Sequence, residues 1–219
     1  MEKLVYLVAG GLGVGLMLDV KPLPPRLSLA PCIFWLGAAY AWLAWRQIDQ
    51  TRTWWLLGGL GIAGLIVLLR TTDGHPLSLR APMMFLVAAL GLGGVALTSG
   101  SLAIAQLTFA LAAAIGGFAL WNWPRARYPF GAAALIGGGL PLLALAALTL
   151  LLTDAPPWAL APILFIFFAD LVSRRLPPQG GTARRVLEPI YLALVAALPA
   201  ALAISLALLA GQTDDLYYR

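Results

Sequence analysis

The sequence predicts an all-α fold, a polytopic transmembrane helix bundle of about eight spans with no sizeable soluble domain. Three observations lead there. Of 219 residues, 61% are apolar and only 11% charged, whereas soluble domains average nearer half and a quarter. The mean hydropathy is +0.89. The charges gather in short gaps between apolar runs, most of which approach the ~20 residues that a ~30 Å hydrocarbon core requires. Too few charges remain to cover a soluble fold of this length. That excludes a water-soluble enzyme, a nucleic-acid-binding domain and a disordered tail.

The runs are taken in order. Residues 4–18 have a weakly charged start and no small-x-small cleavage site, so they are expected to stay as a span and not to be removed as a signal peptide. Residues 27–45 follow the proline-rich gap DVKPLPPR. Residues 54–69 are short and need Arg52 and Thr53 to complete a crossing, the arginine reaching for headgroups. Residues 81–98 and 102–121 are separated only by Ser99-Gly100-Ser101, a turn. Residues 131–152 contain Pro141, and residues 186–210 contain Pro199; both prolines are expected to kink their helices. Between them, residues 158–172 are short, and residues 173–176 would have to lengthen them. Seven spans is the competing count, with the first run not crossing or the seventh re-entrant.

Alternate gaps face the same side of the membrane. One side collects Lys21, Arg26, Arg70, Arg80, Arg125, Arg127, Arg174, Arg175, Arg184 and Arg185, and the other Lys3, Arg46, Arg52 and Arg219. The positive-inside rule puts the richer side in the cytoplasm, so both termini are expected outside it. Tryptophans agree: Trp42, Trp45, Trp54, Trp55 and Trp158 fall at the outer boundary and Trp121 and Trp123 at the inner one. Arginine outnumbers lysine 12 to 2 in an Ala/Gly/Leu-rich chain, a bias that suggests a GC-rich bacterial gene. The expected location is therefore the cytoplasmic (inner) membrane of a bacterium.

Residues 1–219 read as a single integral membrane domain, in which residues 1–50 and 51–100 can be aligned as duplicated helical hairpins. Gly10-Gly11-Leu12-Gly13 matches Gly58-Gly59-Leu60-Gly61, and Asp19-Val20-Lys21-Pro22-Leu23 matches Asp73-Gly74-His75-Pro76-Leu77. Repeats of this kind occur in transporters. Glycines at 11, 15, 91, 93, 94, 116, 117 and 137–139 are expected to mark close helix–helix approach. Gln106, Thr108 and Ser205 are expected to bond across helices or to line a narrow neutral pathway.

Chemistry-bearing residues are few. No Asp, Glu, His, Lys or Arg lies in the middle third of any expected span, whereas proton relays, cation paths and membrane hydrolases need such groups at depth. Asp170 and Arg174 stand i,i+4 on one helix and can pair near the cytoplasmic boundary. Glu188, ahead of Pro189, is expected in the first turn of the last span, where a carboxylate favours the positive helix end. Asp170, Arg174 and Glu188 thus form an interfacial ion pair or a gate. The lone His75 and the lone Cys32 cannot build a metal or disulfide site. No cofactor or metal is expected.

Asp19 and Asp73 both open an Asp-x-x-Pro-Leu motif on the cytoplasmic side. Two carboxylates brought together can share a proton and activate water. Leu18-Asp19 through Pro25-Arg26-Leu27 resembles the start of bacterial prepilin peptidases, in which an Asp ends the first span and basic and proline residues follow. The resemblance implies a polytopic aspartyl protease at the cytoplasmic face. Its second motif, Gly-x-Gly-Asp, is absent; Arg80-Ala81-Pro82 stands at the comparable place before Met83-Met84-Phe85.

Three functions compete. The first is a non-catalytic accessory or assembly subunit of a membrane complex, which presents apolar faces to partners. The second is a transporter or flippase for a neutral or lipid-like substrate. The third is an aspartyl protease-like membrane enzyme using Asp19 and Asp73. The missing charge at depth favours the first. Its expected partners are the lipid bilayer and other membrane subunits or further copies of itself, with no nucleic acid.

Overall fold

The computed structural model describes residues 9, 10, 13, 15, 16, 51–72, 78–125, 127–173 and 182–217. Among them there are helices and turns and no strand, as the sequence predicts. The helices are α1 (Thr51–Thr72), α2 (Arg80–Thr98), α3 (Leu102–Trp121), α4 (Ala132–Leu152), α5 (Pro157–Ile166), α6 (Ala169–Ser173) and α7 (Thr182–Tyr217). Four stretches are long and apolar enough to cross a bilayer: Arg80–Thr98, Leu102–Trp121, Ala133–Leu152 and Val186–Gly211. Gly58–Thr71 and Pro157–Val172 are shorter apolar helices. The second expected span, residues 27–45, lies outside the described residues, as does most of the first, of which Ala9, Gly10, Gly13, Gly15 and Leu16 are helical. The hairpin repeat falls largely on the same segment.

By contacts the chain divides into two compact units, Met1–Pro76 with Phe130–Ala147 and Leu77–Pro129 with Leu148–Arg219. The first contains α1 and most of α4. In α1 the Thr71 hydroxyl donates to the carbonyls of Val67 (2.8 Å) and Leu68 (3.2 Å), which keeps a buried polar group satisfied within its own helix. In α4 the helix continues through Pro141. The ring removes one rung of the ladder.

In the second unit α2 is the central helix, packed against α3, α5 and α7. The turn from α2 to α3 follows from one glycine. Gly100 has φ +83°, a left-handed conformation that costs other residues energy. The N–H of Ser101 then reaches the Ala96 carbonyl (2.9 Å) and that of Gly100 the Leu97 carbonyl (3.3 Å). This Schellman arrangement satisfies the last carbonyls of α2. Ser101 next caps α3, its hydroxyl accepting from the Ile104 N–H at 3.4 Å. Three residues therefore reverse the chain.

The interior of this unit is built from small side chains. Ala88, Ala89, Val95 and Ala96 of α2 are fully buried, as are Ala196 and Ala203 of α7. Most leucines of α7 take the opposite place: Leu187, Leu194, Leu198, Leu202, Leu208 and Leu209 are exposed, while Leu192 is buried in the interior, as is Leu92 of α2. A soluble fold buries such leucines. In lipid, small residues bring helices together and large apolar ones face the acyl chains. The distribution is that of a membrane-embedded protein.

Glycines explain the closeness. A Cβ on Gly91 would stand 3.1 Å from the Ala200 Cβ and 3.4 Å from its Cα; one on Gly93 would stand 2.5 Å from the Phe109 ring, and one on Gly94 would strike Ile204. These three behave as the sequence predicts. Gly116 makes only an ordinary approach to Leu86, and Gly117 faces open space, so close approach is corrected at those two positions. Gly11 lies outside the described residues.

The seventh expected span is interrupted. Helix α5 ends at Ile166, and the N–H groups of Phe167 and Phe168 bond three residues back, to Leu164 (3.2 Å) and Phe165 (3.0 Å), before α6 begins. Phe167 is buried with its ring edge-on to Phe85, centroids 5.2 Å apart at 72°, a favourable aromatic geometry. The tight turn turns this ring inward. The segment Pro157–Ser173 spans about 25 Å even if fully helical, short of the hydrocarbon thickness.

Candidate functional site

Several polar groups of the second unit meet at one end. There the starts of α2 and α7 meet the end of α3. Arg80, the first residue of α2, donates from Nε (2.7 Å) and Nη2 (2.6 Å) to the Oε1 of Glu188 in α7. Both side chains are partly buried, at 31% and 24% exposure, so the pair is less screened than a surface ion pair. One oxygen takes both donors and joins residues 108 positions apart in the chain.

This corrects the expected role of Glu188. Helix α7 starts at Thr182 and has no acidic residue in its first turn, so Glu188 lies beyond the reach of the helix end. Its carboxylate is held by Arg80 instead. Pro189 lies inside the helix and does not start it.

Asn122 forms the second polar element. It follows α3 directly and is fully buried. Its Nδ2 donates to the Phe118 carbonyl at 3.1 Å, and its Oδ1 accepts from the N–H groups of Arg127 (2.9 Å) and Tyr128 (2.8 Å). One side chain therefore does the work of a short turn of backbone and folds the loop after α3 back on its own root. The Trp123 indole N–H donates to the Val186 carbonyl at 3.4 Å, which ties that loop to α7.

Asp170, at the start of α6, is buried at 8% exposure. Arg174 lies outside the described residues, and so do Asp19, Asp73, His75 and Cys32. The aspartate pair weighed for a protease is thus not placed. Among the described residues no three His, Cys, Asp or Glu side chains gather as metal ligands would.

Deeper in the helices the hydroxyls are used locally. Thr108 donates to the Ile104 carbonyl (2.7 Å) and Ser205 to the Ala201 carbonyl (2.7 Å), both in their own helices. Thr98 does the same toward Gly94 and Val95. Gln106 is exposed. The expected cross-helix bonds of Thr108 and Ser205 are therefore corrected, because a hydroxyl four residues after a helical carbonyl finds it without any neighbour.

Sequence reasoning missed Arg80–Glu188 and Asn122. Arg80 was one of ten basic residues assigned to the same side, and nothing in spacing singles out which of them faces Glu188. Asn122 carried a legible signal, an amide at a helix end before a proline- and arginine-rich loop.

Comparison with protein-family models, with curated proteins and with solved structures finds no match to this chain. Fold and site together define a class only, an all-α membrane-embedded protein whose described ion pair and amide clamp lie at helix ends.

Proposed function

We infer that the chain is a non-catalytic, multi-pass membrane protein of about eight spans that serves as an accessory or assembly subunit of a membrane complex. Its place is the cytoplasmic membrane of a bacterium, with both termini outside the cytoplasm. The observation that carries this reading is the closed interior of the second unit. Alanines and glycines bring its helices together around the buried Phe85, Leu92, Ile166 and Leu192, and the Thr108 and Ser205 hydroxyls are committed to their own helices. A transport path or a hydrolytic centre needs uncommitted polar groups at depth. A subunit needs only rigidity and apolar outer faces, and the leucines of α7 supply such a face. The span count adds α1, the α5–α6 segment and the two N-terminal apolar runs to the four long helices.

Two experiments test it. In mild detergent the chain should run in a stoichiometric assembly larger than itself, and deleting it should lower the level of that same partner. Proteoliposomes of the purified chain should leave the flipping rate of a fluorescent phospholipid unchanged; acceleration would replace this reading with that of a flippase. For orientation, reporter fusions after Arg127 and Arg185 should report cytoplasm and those after Asp154 and Arg219 should not.

A further inference from the structure

The loop after α3 presents a surface that the subunit reading does not use. Trp123, Pro124, Arg125, Arg127, Tyr128 and Pro129 are exposed, while Asn122 at the root is fully buried. Residues 121–131 include two arginines and no acidic residue. Neither Arg125 nor Arg127 takes part in an ion pair among the described residues. Two residues apart, their Cα atoms are at most about 7 Å from each other.

The surroundings of these charges are aromatic. Trp121, Trp123 and Tyr128 are exposed at 66%, 42% and 57%. Amphipathic rings of this kind settle at headgroup level. Helix α3 has 20 residues and so covers about 30 Å, the thickness of the hydrocarbon core. Crossing upright, it would deliver the residues that follow it to phosphate depth.

We propose that the end of α3 and the described residues after it form a binding site for the phosphate of an anionic phospholipid, with Arg125 and Arg127 as its charge contacts and Trp121, Trp123 and Tyr128 seated among the headgroups. Guanidinium groups suit this ligand because their planar donors match phosphate oxygens. The Asn122 clamp makes the loop a formed site. The N–H groups of Arg127 and Tyr128 are both bound to Asn122 Oδ1, and Trp123 is bound to Val186, so less ordering remains to be done when lipid arrives. An acidic protein segment would answer the charges equally well. It would leave three exposed rings at the end of an apolar helix unexplained.

The test is native mass spectrometry of the purified full-length chain in detergent, titrated with phosphatidylglycerol and, separately, with phosphatidylcholine of the same acyl chains. Wild type should bind phosphatidylglycerol more tightly. Arg125→Gln with Arg127→Gln should lower that affinity roughly twentyfold and leave phosphatidylcholine binding unchanged. Arg125→Lys with Arg127→Lys should retain most of it. Removing two charges elsewhere, as Arg46→Gln with Arg219→Gln, should have little effect. An equal loss in that control would reduce the effect to net charge and overturn the site. Displacement of the lipid by millimolar glycerol phosphate would also overturn it, since the ligand would then be a free anion. Equal affinity of wild type for the two lipids would end the proposal.

Discussion

Helices α1 and α2 are both rich in glycine, and they use it in opposite ways. In α1, a Cβ added at Gly58, Gly59 or Gly61 meets no atom of the described residues within 4 Å. In α2, a Cβ at Gly91, Gly93 or Gly94 meets Ala200, Phe109 or Ile204. The residue is the same and so is the local conformation. What differs is the neighbour. Around α2 the partners are small or can be positioned by short turns, and the glycines convert that into close backbone approach. Around α1 the glycines leave a shallow apolar surface and retain their usual cost to a helix.

The largest expected effect is at Gly91. Its nearest neighbour is the backbone and Cβ of Ala200, which cannot rotate away. Gly91→Leu must separate α2 from α7, and the expected loss is about 3 kcal/mol, the upper part of the overpacking range. Thermal unfolding in detergent reads it. A variant melting like wild type would remove the contact from the account of this fold.

The α2–α7 contact is also held at its end, by Arg80 and Glu188. Glu188→Gln keeps the shape and removes the charge, and should cost about 1–2 kcal/mol, a charge-assisted bond discounted for partial exposure. Combining it with Arg80→Gln should cost less than the sum of the two singles, because the partners share one interaction. Strict additivity would show that the pair contributes independently of its contact.

How much of this was legible in the sequence divides along the same line. The four long described helices were legible, because apolar run length answers to bilayer thickness. The turn at Gly100 was too, since a three-residue gap of serine and glycine has few conformations. The break at Phe167–Phe168 was not, because a run of large apolar residues reads as continuous helix, and the contact of Phe167 with Phe85 that accompanies the break is tertiary. The glycines split for a related reason: Gly93 and Gly117 look alike in sequence, and only a facing Phe109 distinguishes them. At the site, the hydroxyls were misassigned because a local carbonyl outcompetes a distant partner. Glu188 was misassigned because its helix starts at Thr182, earlier than hydropathy suggests.

Gly93→Ala should have a smaller effect than Gly91→Leu, about 1 kcal/mol. The obstructing group is the Phe109 ring, which is 38% exposed and can swing outward. Gly93→Ala with Phe109→Leu should recover part of the loss, read as coupling in a double-mutant cycle. Without coupling, the ring is not what opposes the added methyl.

The smallest effect should also have the opposite sign. At Gly59 an added methyl finds open space, so Gly59→Ala changes only helix propensity and should stabilise the purified chain by about 0.5–1 kcal/mol. Gly59→Leu should be tolerated as well, its side chain joining exposed neighbours such as Ile62. Together these variants separate two meanings of an open glycine face. If it simply meets lipid, neither substitution alters the chain in detergent or its assembly in membranes. If it receives a partner subunit, Gly59→Leu leaves the isolated chain stable and lowers the yield of the complex, an interface effect that the isolated chain does not register. Destabilisation of the isolated chain by Gly59→Ala would contradict both and would place a close neighbour against α1, erasing the contrast with α2.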